Sequence, residues 1–209
     1  MKRRGLFISV EGPEGSGKSS QAKRLASALR RAGRRVMLVH DPGSTRLGVR
    51  IRAALLHEPV TLSPLVEALL FIAARRQLLE ERIRPALRRG QVVICDRYHD
   101  STIAYQGFGG GLDVAWLRHL GRRAIDGLLP DMTVLLDVPP SIGLARLSGS
   151  RDRIERKARL FHERVRRGYL RIARQQPRRV RIIDATQSPD IVHQQVLDVV
   201  SHRLNRRST

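Results

Sequence analysis

Gly12, Gly17, Lys18 and Ser19 stand at the fixed positions of a G-x-x-x-x-G-K-[ST] pattern, with Pro13, Glu14, Gly15 and Ser16 between the first two. Glycine at these places lets consecutive backbone N–H groups turn inward around phosphate oxygens. The lysine then adds a cation, and the serine adds a hydroxyl that can ligate a metal ion. A polyphosphate is the ligand such a loop takes. Glu14 is the odd member, because a carboxylate beside a triphosphate repels it unless a cation stands close by. The other reading, a plain glycine-rich turn before a helix, has all four fixed positions and both flanks against it. Elsewhere, His99, His119 and His162 lack metal-ligand spacing, and nothing suggests a Ser-His-Asp arrangement.

The loop needs a strand before it and a helix after it, and the flanking residues supply both. The apolar run Leu6 to Val10 ends in Glu11. Ser20 to Ala32 carries helical spacing at Ala22, Leu25, Ala26 and Leu29, closed by Gly33. Phosphates would sit at the start of that helix, where unpaired N–H groups and the helix dipole favour negative charge. Four further runs read as buried parallel strands: Val36 to Val39, Val92 to Cys95, Val134 to Leu136 and Val180 to Ile183. Helical spacing recurs at Leu47 to Leu56, Leu65 to Arg89, Val114 to Leu128, Ile142 to Leu147, Glu155 to Gln175 and Ile191 to Leu204. This alternation predicts an α/β fold, a five-stranded parallel sheet flanked by helices, with residues 1–209 as a single domain. Each strand ends in a polar residue, at Glu11, His40-Asp41, Asp96, Asp137 and Asp184, along the edge where open α/β sheets bind ligands. Asp137 and Asp184 read as ordinary strand ends. Ser63-Pro64 should start a helix and Pro85 should kink or break it. Gly107 to Gly111 reads as a flexible loop. The basic Gly/Ser segment at 148–154 reads as a lid able to close on a nucleotide.

Forty Lys and Arg against nineteen Asp and Glu give a formal charge of +21. Such a balance raises the question of a nucleic-acid partner. The cations are nearly all arginines, spread in pairs such as Arg30-Arg31, Arg88-Arg89 and Arg178-Arg179 without aromatic interleaving, which argues against a dedicated nucleic-acid role. The one cysteine, Cys95, lies in an apolar run, so no disulfide forms within the chain. The basic start Met1-Lys2-Arg3-Arg4 is followed by only five apolar residues, and no run is long enough to cross a bilayer. A cytoplasmic protein without membrane contact is expected.

Val92 to Gln106 reads VVICDRYHDSTIAYQ. A strand delivering Asp96-Arg97-Tyr98, then Ser101 and Tyr105-Gln106, resembles the bacterial thymidylate kinases among the P-loop nucleoside monophosphate kinases. It is similar, more loosely, to the deoxynucleoside kinases. Leu70 to Gln77 looks like that family's acceptor-nucleotide helix. Asp152-Arg153-Ile154-Glu155 looks like its lid motif and Ile183-Asp184-Ala185-Thr186 like its last strand. The resemblance runs in order over essentially the whole chain. It departs at His40-Asp41-Pro42-Gly43-Ser44-Thr45, where the family's Arg-Glu-Pro-Gly-Gly-Thr keeps a carboxylate here one methylene shorter and loses its arginine. The lid is short and carries an extra Arg151.

The resemblance implies a three-layer P-loop kinase fold with a short lid. It implies transfer of the γ-phosphoryl group of ATP to dTMP, giving dTDP and ADP, with Mg²⁺ as cofactor and a homodimer as the assembly. A phosphate acceptor, with a second pKa near ~6, is already nucleophilic, so the chain needs no general base. Positioning and charge stabilisation then carry catalysis. On this reading residues 12–19 and Arg146 bind ATP, with Lys18 along the β- and γ-phosphates. Ser19 ligates the metal, and Asp96 holds one of its waters or pairs with Arg97. Arg97 clamps the acceptor phosphate through its bidentate fork, and Arg153 is the lid arginine on the transferring group. The resemblance places Glu14 near the acceptor sugar's 3′-hydroxyl and Arg97. Phe71 and Arg75, one helical turn apart, stack on thymine and meet its edge, whereas packing would be the default for an isolated Phe71. Ser101, Tyr105, Gln106 and Asp41 complete the acceptor pocket, with Tyr105 where a ribose 2′-hydroxyl would project. A deoxynucleoside kinase, or a basic nucleic-acid-binding protein with a structural P-loop, are the competing readings.

Overall fold

The computed structural model describes residues 4–58, 61–148 and 151–208, with side chains to residue 204. Its centre is a parallel sheet of five strands in the order β2-β3-β1-β4-β5: β1 Phe7–Glu11, β2 Val36–His40, β3 Val92–Asp96, β4 Met132–Asp137 and β5 Val180–Asp184. All five runs expected as strands form them, each reaching its polar terminal residue. β1 pairs with β3 on one side and β4 on the other, placing Val10 opposite both Asp96 and Val134. The chain therefore leaves β1 in mid-sheet, at the point where a parallel sheet opens a crevice at its carboxyl edge.

Alternation of side chains gives each strand two faces. Ile8, Val10, Ile94 and Val134 pack on one side against α1 (Lys18–Arg31) and α9 (Pro189–Ser208), through Ala22, Leu25, Leu29, Val192 and Val196. Phe7, Val93 and Cys95 face the opposite side. That side is covered by α3 (Pro64–Leu78), the turns after it, and α8 (Arg159–Gln175). Helices on both faces make three layers. Caps agree with local chemistry: Thr45 accepts from Gly48 N at the start of α2 (Arg46–Leu56), and Ser63 caps α3 with Pro64 in its first turn. The break expected at Pro85 begins earlier, in a π-helical turn at Leu79–Ile83 that precedes α4 (Arg84–Arg88). A wider turn there accommodates a residue that cannot donate its N–H and whose ring crowds the preceding turn.

One expectation is overturned. The glycines of 107–111 are not a flexible loop throughout, because α5 (His99–Thr102) runs into a π-helical segment at Ile103–Gly109 in which Gly107 and Gly109 are buried. A Cβ on Gly109 would stand 2.7 Å from the Phe161 ring of α8, so the glycine serves close helix packing. The segment then turns at Gly110 and Gly111 into α6 (Val114–Ala124), capped by Asp113. A short α7 (Pro140–Ala145) follows β4. Of the expected lid, Gly149 and Ser150 lie outside the described residues. Residues 153–156 form a turn leading to α8.

Candidate active site

The glycine-rich loop joins β1 to α1 as its pattern requires. Gly15 has φ +66°, and a side chain on it would collide with the Gly143 carbonyl of α7, so this turn has room only for glycine. Ser16 is buried and donates to Pro13 O at 2.9 Å, closing the loop on itself. Lys18 lies under the loop, its Nζ donating to Pro13 O at 2.6 Å and to Ser16 Oγ at 3.3 Å. Burial, together with the nearby Arg97 charge, pushes Lys18 down to about 8, against the opposing pull of Glu14 and Asp96. Ser19 Oγ donates to Asp96 Oδ2 at 2.5 Å. Asp96 thus meets the hydroxyl of the loop. Arg97 takes a different carboxylate, which removes the simple Asp96–Arg97 pairing that the sequence left open.

That carboxylate is Glu14. The Arg97 NH2 group donates to both Glu14 oxygens, at 2.9 and 3.0 Å, and NH1 donates to Gly12 O at 3.3 Å. Tyr105 donates its phenol proton to Glu14 at 2.7 Å, and the Arg97 guanidinium lies 4.9 Å from the centre of the Tyr105 ring. Burial alone would raise Glu14, but Arg97 and Lys18 outweigh it and hold the carboxyl at about 2. Glu14 is therefore ionised at any working pH. It neutralises part of the cationic charge that would otherwise be concentrated against the loop.

Asp41 and Arg75 also find each other. Arg75 Nε donates to Asp41 Oδ2 at 2.5 Å and NH1 to Thr102 Oγ1 at 3.0 Å, with both ion-pair members buried. Burial raises Asp41 despite the arginine beside it. Asp41 Oδ1 remains buried without a partner. Arg75 is thereby locked in one orientation by the strand end that carries Asp41.

These groups line one cavity of about 650 Å³. Its lining includes Glu14, Lys18, Ser19, Asp96 and Arg97, together with Asp41, Phe71, Arg75, Ser101, Tyr105 and Gln106, and Asp152, Ile154 and Glu155 of the segment before α8. The volume is in the range that holds drug-sized or nucleotide ligands. Five expected residues, Gly12, Pro13, Ser16, Arg146 and Arg153, are not among the lining groups. Arg153 donates to Glu67 Oε1 at 2.7 Å and to Leu55 O at 2.9 Å. Arg146 is anchored on the carbonyls of Ala185 and Thr186.

Sequence reasoning missed Glu67 and Tyr169 in this region and marked Glu11 only as a strand end on the ligand-binding edge. Glu67 is buried on α3 and accepts from Arg153, Lys157 and Gln106 at 2.7, 2.9 and 3.1 Å, so these three donors hold its carboxyl low against the burial that would raise it. Glu11 accepts from Tyr98 N, Ser101 Oγ and the Tyr169 hydroxyl. Tyr169 continues the Phe161, Val165 spacing of α8 and reads as core, although its phenol signals a polar partner at the far end.

Among the described residues no cluster of three or more His, Cys, Asp or Glu side chains could hold a metal. The neighbouring Ser19 hydroxyl and Asp96 carboxylate are an oxygen-only pair, which suits a hard divalent cation that keeps water and phosphate ligands.

Compared with known proteins, residues 10–196 match the family model described as thymidylate kinase. The chain is 46% identical over 201 residues to a thymidylate kinase of Deinococcus radiodurans, covering 95% of this chain and 98% of that one. It is 48% identical over 203 residues to one from Thermomicrobium roseum, covering 96% of each. A crystal structure of thymidylate kinase from Ehrlichia chaffeensis superposes with a TM-score of 0.78 at 35% identity, over 94% of this chain and 99% of that chain.

Proposed function

The chain belongs to the thymidylate kinase family, and from that membership we propose that it transfers the γ-phosphoryl group of ATP to the phosphate of dTMP, giving dTDP and ADP. The observation that carries this reading is one cavity lined both by the phosphate loop and by Phe71, Arg75 and Tyr105. Two anionic nucleotides meeting there bring strong mutual repulsion. Lys18 supplies charge along the donor's β- and γ-phosphates, and Arg97 offers a planar fork to the acceptor phosphate. Glu14 and Gly12 O hold Arg97 over the loop, so its orientation is set before substrate arrives. Lys18 and Arg97 act most strongly where charge develops during transfer. The acceptor phosphate is its own nucleophile, so no side chain has to remove a proton.

Ser19 and, through a water, Asp96 would hold Mg²⁺, which would supply positive charge to the triphosphate. Arg75, fixed by Asp41 and Thr102, would meet the edge of thymine while Phe71 stacks on its face. Arg153 would reach the transferring group only by leaving Glu67, which makes the Arg153–Glu67 pair a clasp that the lid must open. Exposed apolar side chains on three neighbouring helices, Leu47 and Val49 of α2, Leu65, Val66 and Leu69 of α3, and Trp116 of α6, support a homodimer through that face. Among the described residues no helix is long and apolar enough to cross a membrane. The buried free thiol of Cys95 suits the reducing cytoplasm where these nucleotides are found.

The test is product identity. Incubation with ATP, Mg²⁺ and dTMP, followed by chromatographic separation, should give ADP and dTDP in equal amounts. ADP released without dTDP would reduce the protein to a nucleotide hydrolase and defeat the proposal.

A further inference from the structure

The Glu11 carboxylate takes no part in the chemistry proposed above, yet it is wholly buried at the end of β1, one residue before the loop. Its Oε1 accepts from the backbone N–H of Tyr98 at 2.7 Å. Its Oε2 accepts from Ser101 Oγ at 2.5 Å and lies 3.1 Å from the Tyr169 hydroxyl. Ser101 and Tyr169 are themselves 2.8 Å apart, so three oxygens form a closed triangle drawn from β1, α5 and α8. Ser101 spends its proton on the carboxylate. Its hydroxyl therefore secures α5 rather than standing free for a ligand.

Arg97 is held at one end by Glu11 Oε1 and at the other by a corner of this triangle. Its backbone lies at φ +67°, a region that side-chain-bearing residues leave unless their surroundings hold them. The N–H that Glu11 binds belongs to the next residue, Tyr98. At the other end, Arg97 NH1 approaches the Tyr169 hydroxyl at 3.5 Å, and that hydroxyl leans on Glu11. Removing the carboxylate would release the N–H after Arg97 and leave the phenol beside its guanidinium held by Ser101 alone.

We propose that Glu11 is a positioning residue for phosphoryl transfer, fixing the Arg97 backbone through Tyr98 N and its guanidinium through Tyr169. This rests on Arg97 being the arginine that meets the acceptor phosphate. Glu11 itself touches no substrate. Tyr169 carries the effect into α8, so the helix that follows the lid segment is tied to the arginine that works beneath it.

The experiment compares Glu11→Gln, Tyr169→Phe and the double variant in the full-length enzyme, reading kcat and KM for dTMP and for ATP. Burial and the neighbouring Asp100 raise Glu11 to about 7, so the variants are compared at pH 8 and above, where glutamine keeps the shape of the carboxylate but turns an amide donor toward groups that already donate. The expected kcat falls about 30-fold in Glu11→Gln and about 5- to 10-fold in Tyr169→Phe, with KM for ATP within about twofold of wild type. The double variant should be no worse than Glu11→Gln within about twofold, because both changes act on one guanidinium. Wild-type kcat in both single variants would overturn the proposal. So would a proportional loss of kcat and both KM values following a lowered Tm, the pattern of general loosening. If Glu11→Gln does not fold, Tyr169→Phe removes a single oxygen and carries the same expectation and the same refutation. Failure of the wild type to act on dTMP would instead contradict the proposed function, whereas variant-to-wild-type ratios on any accepted phosphate acceptor still test the positioning role.

Discussion

Lys18 ties the loop's shape to a pH dependence whose sign follows from burial. Its value of about 8 lies below that of an exposed lysine, 10.5, because the folded protein disfavours the charged form. A bound triphosphate reverses that balance and draws the proton back. ATP affinity should therefore be flat below pH 8 and weaken above it, by up to about tenfold per pH unit for one proton. The same sign predicts that the ligand-free protein gains stability from this residue between pH 8 and 10.5, a gain absent in Lys18→Met. Titration of ATP binding in buffers of different ionisation enthalpy reads the proton directly, and pH-independent affinity to pH 9.5 would contradict it. Tyr105 offers a second test at this scale. Its ring packs on Arg97, Phe161 and Tyr169 and its hydroxyl holds Glu14, so Tyr105→Ala should slow transfer to any acceptor. If the ring also occupies the space of a 2′-hydroxyl, activity on 5-methyl-UMP should rise relative to dTMP by about 10- to 100-fold in kcat/KM. Equal losses on both acceptors would assign sugar discrimination elsewhere.

Segment 151–158 is tied to α3 by one carboxylate, since Glu67 takes both Arg153 and Lys157 as well as Gln106. Glu67→Gln should cost about 1 to 3 kcal/mol, less than a fully buried pair, because both cations keep some solvent contact. It should also raise hydrogen exchange across 151–158 in the free protein. With wild type, exchange there should slow only when ATP analogue and dTMP are both present, since closure needs contacts from each side. Equal protection in the free protein would make the segment a fixed loop. The elements themselves were largely legible in the sequence. All five strands were marked by apolar runs with polar ends, and the phosphate loop by its fixed residues. The π-helical segment at Ile103–Gly109 was not, because four glycines in the five residues 107–111 read as a loop unless the helix packed against them is known. The contacts of Asp41 with Arg75, of Glu67 with Arg153 and of Glu11 with Tyr169 were equally hidden. Their partners lie 34, 86 and 158 residues apart, and only the folded sheet brings them together.

At the scale of the molecule, the formal charge of +21 is partly answered within the cavity, where Glu14, Asp41 and Asp96 stand among its cations. The exposed apolar face of α2, α3 and α6 carries the remaining expectation about assembly. Sedimentation should show a dimer, and Leu69→Asp with Trp116→Glu should give a folded monomer. A wild-type monomer at tens of micromolar would remove that interface. In the proposed function one cavity joins a nucleoside triphosphate to a deoxynucleoside monophosphate. The most direct test is kcat/KM for ADP release, at saturating ATP·Mg²⁺, with dTMP and with thymidine as alternative acceptors, in wild type and Arg97→Ala. Release should be rapid with dTMP, absent above background with thymidine, and about 100-fold or more slower on dTMP in the variant. Efficient turnover of thymidine without dTMP, or full dTMP activity without Arg97, would contradict it.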